Sequence, residues 1–172
     1  MFSLTRPFVD LCFLRIGPQN LPASGLLLAI ALVAHLLAEW IGFSVLMPGE
    51  NAFLAALAAT VILAFLTFSI LAAQRRQSRL LQTLTAMAGA ITVIDLIGIP
   101  LATWWRSVDD GSGAVQLPLL LLLVLTVWSV AIQGHILRHA LSIPLAMGVM
   151  IAMFFFWFSF QVMHYLFPGS GS

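Results

Sequence analysis

Apolar residues in this chain gather into five long runs, and the breaks between them are short and polar. The first run covers residues 21–46. It follows Gly17-Pro18-Gln19-Asn20-Leu21-Pro22, whose prolines and glycine suit a turn and not a helix interior. The turn Met47-Pro48-Gly49-Glu50-Asn51 hairpins it to a second run, Ala52–Ala73, which ends against Gln74-Arg75-Arg76-Gln77-Ser78-Arg79. Residues 80–103 form the third, closed by Trp104-Trp105-Arg106 and a polar loop over 107–113. Residues 116–137 and 141–167 form the fourth and fifth, with Pro144 near a first turn, where a missing N–H does little harm. Each run is long enough to cross roughly 30 Å of hydrocarbon as a helix. The pattern predicts an all-α polytopic bundle of five transmembrane helices over 18–168.

Composition agrees. Of 172 residues, 62% are hydrophobic and only 8% charged, and the mean hydropathy is +1.09. The cations are seven arginines and no lysine, set against six acids, for a net charge of +1. There is no basic field for nucleic acid, no lysine for Schiff-base or Walker-type chemistry, and a single cysteine, so no disulfide framework.

Charge placement predicts orientation. Arg6, Arg15, Arg75, Arg76, Arg79 and Arg138 fall on one side of the five spans, and only Arg106 falls on the other, beside Asp109 and Asp110. Arginines near short loops are retained in the cytoplasm. The expected topology is an inner (plasma) membrane protein with its N-terminus cytoplasmic and its C-terminus outside. Trp104, Trp105, Trp157 and Tyr165 suit an interfacial belt, whereas Trp40 and Trp128 lie deeper and are expected to pack between helices. Residues 1–17 are apolar but interrupted by Asp10 and Arg15, without an A-x-A-like cleavage site. They read as a cytoplasmic interfacial amphipathic helix, Arg6 and Arg15 facing headgroups, and not as a signal peptide. Gly169-Ser170-Gly171-Ser172 has the composition of a linker or tag scar.

Three ionisable residues fall deep inside the spans: His35, Glu39 and Asp95. His35 and Glu39 are spaced i, i+4 and share a helix face. Glu39 lies about 17 residues into span one and Asp95 about 15 into span three, roughly 22 to 26 Å deep. Gln161 and His164 of span five descend from the same side and join them if spans one, three and five adjoin. A carboxyl in hydrocarbon without a cationic partner is costly to ionise, which suits a proton relay or a cation site. The competing reading is interhelical glue, neutral acids hydrogen-bonded to His35, Thr92 or backbone. Beside Asp95, Gly98 and Pro100 predict a kink or local opening of span three. The small residues Thr85, Ala86, Ala88, Gly89, Ala90 and Thr92 predict that this span is central and closely packed.

His135 and His139 have the i, i+4 spacing by which a helix offers two metal ligands. Ile136 stands where a zinc protease needs glutamate, and no third ligand is evident. An interfacial role beside Arg138 is favoured, with no metal or other cofactor expected. The serines Ser44, Ser69, Ser129, Ser142 and Ser159 lack a G-x-S-x-G context, so no enzyme is expected. Cys12 reads as apolar packing.

The five-span layout from about Leu21 to Phe167, with local support from Asp95-Leu96-Ile97-Gly98-Ile99-Pro100, resembles the Yip family of membrane proteins and small uncharacterised Gram-negative inner-membrane relatives. The string from Pro7-Phe8-Val9-Asp10-Leu11 to Gly17-Pro18-Gln19-Asn20-Leu21-Pro22 resembles the start of such bacterial proteins. The family's Asp-Leu-x-Gly-Pro precedes its first span; here the similar string carries an extra Ile99 and lies in span three, so its role is not carried over. The resemblance implies a non-enzymatic protein working through helix and lipid contacts. In eukaryotes the family assists vesicle trafficking and binds small GTPases through a cytoplasmic N-terminal domain, where this chain has about twenty residues. The expectation is a structural or adaptor subunit whose partners are membrane lipids, another membrane protein or a second copy of itself. The alternatives are a small proton or cation conductor using the intramembrane carboxyls and, third, an intramembrane enzyme.

Overall fold

The computed structural model describes residues 6–46, 51–108 and 115–168. Asp109, Asp110, residues 47–50 of the first hairpin turn and the 169–172 tail fall outside them. The described residues form six α-helices, two single-turn 3-10 segments and no strand. In chain order the helices are α1 (Arg6–Cys12), α2 (Gly25–Leu46), α3 (Ala52–Ala73), α4 (Leu80–Ser107), α5 (Gln116–Leu141) and α6 (Leu145–Leu166). Helices α2 to α6 are long and apolar enough to cross a membrane, and the chain is a multi-pass membrane protein.

The five long helices close a ring. Helix α4 packs on α2 and α5, α2 on α3, and α5 on α6, while a thinner seam between α3 and α6 completes the circuit. Helix α3 also touches α4, and α1 covers α4 on a further face. Residues 83–90 of α4 are accordingly all buried, as small residues permit. Thr83 and Thr85 survive there because their hydroxyls donate to the Arg79 and Leu81 carbonyls of their own helix, at 2.8 and 2.6 Å. Helix α4 runs without interruption through Gly98 and Pro100, so the expected opening beside Asp95 is absent. The proline still leaves the Leu96 carbonyl without its helical donor.

Helices α5 and α6 approach each other through glycine. A Cβ on Gly134 would lie 2.8 Å from the Val149 Cα, and one on Gly148 would fall on the Gly134 carbonyl oxygen. Between them, Ser142 ends α5 in a left-handed conformation (φ 54°) where glycine is usual. Two arginines compensate. The Arg79 Nη1 donates to the carbonyls of His139 (3.1 Å) and Ala140 (2.9 Å), and Arg76 donates to the Ser142 hydroxyl (2.6 Å). The carbonyls that a helix C-terminus leaves unpaired thus receive guanidinium donors. These arginines, read from sequence as markers of sidedness, tie the α3–α4 turn to the end of α5.

The N-terminal segment does not lie free along the bundle's edge. Phe8 packs on Gly89 of α4, Leu11 is fully buried, and the Cys12 thiol lies against the Ala90 carbonyl at 3.8 Å. That contact is nine residues into α4, about 14 Å along its axis. From there the chain turns at Leu14 (φ 58°) and descends between α4 and α5 as a strap. Irregular backbone at such depth requires partners within the protein. Trp128 donates to the Cys12 carbonyl (3.1 Å), His135 Nε2 meets the Ile16 carbonyl (3.0 Å), and Gln82 donates to the Leu21 carbonyl (2.6 Å). Of the predicted 1–17 surface helix, residues 6–17 are described, and they form a seven-residue helix followed by an inserted strap. Arg6 and Arg15 flank Asp10 at 3.9 and 3.7 Å.

Candidate functional site

Helix α2 presents His35, Ala38, Glu39 and Gly42 to the ring's interior, and α4 presents Ile94, Asp95 and Gly98 opposite them. His35 is only 2% exposed, and Glu39 and Asp95 are three-quarters buried. The imidazole lies between the two acids. Its Nε2 is 3.9 Å from Glu39 Oε1, one helical turn away, and its Nδ1 is 3.8 Å from Asp95 Oδ2 across the helix interface. Both gaps exceed a hydrogen bond. The His35 Nδ1 and Asp95 Oδ2 atoms, each out of reach of solvent, have no hydrogen-bond partner among the described residues.

The three side chains border a cavity of about 590 Å³ to which all five long helices contribute. It is a cleft and not a sealed void. Its walls are apolar apart from these residues and Thr126, Ser129, Gln133 and Ser159. It extends from the level of His35 and Gln133 to Leu46 and Ala102, toward the ends of α2 and α4 remote from Arg76 and Arg79. No arginine borders it.

The expected five-member polar cluster contracts to three. Helix α6 joins the ring through α5 and α3, and it turns Phe155, Phe156, Ser159, Phe160 and Met163 to the cavity. Gln161 and His164 are exposed, and the His164 ring stacks on Phe160 with centroids 6.4 Å apart. Thr92, considered as a partner for the acids, instead donates to the Ala88 carbonyl at 2.7 Å. The i, i+4 pair His135 and His139 forms an edge-on ring contact at 4.7 Å, and His135 is buried on the strap and does not reach outward beside Arg138. Trp40 and Trp128 are each partly exposed. Trp40 packs edge-on against Phe53 of α3, and Trp128 anchors Cys12.

Among the described residues, His35, Glu39 and Asp95 are the one grouping able to offer three metal-ligand atoms, all within 4.8 Å of one another. One imidazole nitrogen has both carboxyls within that distance, while the shortest approaches are of Glu39 to Nε2 and of Asp95 to Nδ1. A proton shared along Glu39, His35 and Asp95 uses both nitrogens. Neutral imidazole donates at one nitrogen and accepts at the other, so a proton taken on one side is released on the other.

Sequence reasoning missed the cavity, the strap and its anchors. A glycine in mid-helix, Gly89, was the available signal of close approach. Comparisons with protein-family models, with characterised proteins and with solved structures gave no match.

Proposed function

We propose that this protein is a small transport protein that handles protons at the Glu39–His35–Asp95 group, with its arginine-rich end cytoplasmic in the inner membrane. The observation carrying this reading is the imidazole set between two carboxyls at the edge of a cavity bordered by every span. An adaptor working through helix and lipid contacts needs neither the cavity nor the convergence. The orientation is supported by Arg75, Arg76, Arg79 and Arg138 lying at one end of the bundle.

Mechanistically, Asp95 or Glu39 takes a proton from water in the cleft, His35 accepts it at one nitrogen while its other nitrogen yields a proton to the second carboxyl, and that carboxyl releases it to water admitted from the arginine-rich side when the packed half of the bundle opens. The short gaps, under 4 Å, close with a sub-ångström to ångström shift of α2 against α4. Proteoliposomes test this directly. Wild-type protein should carry a proton flux down a pH gradient, and Glu39→Gln and Asp95→Asn should each abolish it without changing folded yield in detergent. Absence of wild-type flux, or flux indifferent to both substitutions, overturns the proposal.

A further inference from the structure

The cavity is far larger than a proton site needs, and its chemistry is one-sided. Among the described residues its ionisable groups are His35 and Glu39 from α2 and Asp95 from α4; α3, α5 and α6 contribute none. Phe43, Phe155, Phe156 and Phe160 supply aromatic surface to the same space. A volume of about 590 Å³ falls in the range that encloses a drug-sized molecule. Two carboxyls without arginine repel anions, and ring faces attract cations. His35, almost wholly buried, keeps an unpartnered nitrogen at the border of this space.

From this we infer that the cavity binds an organic monocation with an apolar body, such as a protonated amine or a quaternary onium ion, in exchange for a proton. The inference rests on the proton-handling reading above. The cationic centre seats against Glu39 and Asp95, and the apolar body lies among the phenylalanines. As it seats, one carboxyl O–H bond breaks and the proton leaves through the cleft to water. One positive charge enters for one that departs, and the desolvated site keeps its net charge. An inorganic cation would satisfy the carboxyls and leave the apolar volume unfilled.

The test uses the full chain in nanodiscs and two probes of like shape and opposite charge, tetraphenylphosphonium and tetraphenylborate, followed by calorimetry and a pH indicator. Saturable tetraphenylphosphonium binding, proton release upon it and no saturable tetraphenylborate binding are expected. The double variant Glu39→Gln, Asp95→Asn should bind the cation at least about tenfold more weakly, the equivalent of one lost charge contact. Ser159→Phe puts a ring into the cavity itself and should weaken cation binding similarly, which keeps the inference testable if the double variant does not fold. Equal binding of both probes, or cation binding indifferent to the carboxyls and to Ser159→Phe, overturns the inference. Carboxyl-dependent flux without cation binding overturns it and leaves the proton-handling reading standing. Cation binding with neither proton release nor flux overturns that reading and the exchange together.

Discussion

The two halves of the bundle are built on different terms. Near Arg76 and Arg79, backbones touch through Gly134 and Gly148, the strap fills the groove between α4 and α5, and the end of α5 is capped by guanidinium groups. The buried residues of α5 beyond Pro118 all lie from Ile132 onward, and those of α6 end at Phe155, so both concentrate in this half. The other half surrounds a cavity and leaves Gly42 with nothing within 4 Å of a would-be Cβ. Stability concentrated at one end lets the other end keep groups that a tightly packed core would exclude.

Glycine substitutions should break this contrast most sharply. Gly148→Leu drives a side chain into the Gly134 carbonyl, where backbone cannot yield; a loss of about 3 kcal/mol or more is expected, seen as collapse of the monodisperse peak in detergent. Gly42→Ala, in the same kind of helix but beside the cavity, should be neutral or stabilise by up to about 1 kcal/mol. Equal damage from both would erase the distinction. Next in size, Arg79→Ala strips donors from two carbonyls at the end of α5 and should lower stability by about 1 to 3 kcal/mol in a thermal melt.

The strap offers a finer probe. Burial pushes the Cys12 thiol up to about 11, so maleimide labelling of docked protein should be slow at neutral pH and accelerate only as pH climbs toward that value. Trp128→Phe removes one anchor worth about 1 kcal/mol and should speed labelling roughly fivefold, with a pH profile shifted down toward an ordinary thiol. Labelling unaffected by Trp128→Phe would show that this hydrogen bond does not hold the strap. Smallest of all, Glu39→Gln and Asp95→Asn should change the melting temperature little, because neither acid forms a hydrogen bond to His35. A large fall from either would move these residues to the stabilising half of the comparison.

Span positions were legible because apolar length alone specifies a membrane helix, and the second run coincided with α3 from Ala52 to Ala73. The central place of α4 was legible from its small residues. His35, Glu39 and Asp95 were found by counting depth along two helices, since groups at equal depth need only a shared interface to meet. Gln161 and His164 failed that test because α6 is apolar on every side and carries no pattern to say which face turns inward. The strap was illegible for another reason. Its anchors bind the carbonyls of Cys12, Ile16 and Leu21, and every residue type presents the same carbonyl.

His35 and Glu39 ride on one helix, and Asp95 rides on another. Axial sliding of α2 along α4 leaves the first spacing fixed and alters only the second, so the site behaves as a one-dimensional gauge. Bilayer thickness acts on helices through their tilt and displacement. Whatever shifts α2 lengthwise therefore changes the gap between the imidazole and Asp95 while leaving the gap to Glu39 as it is.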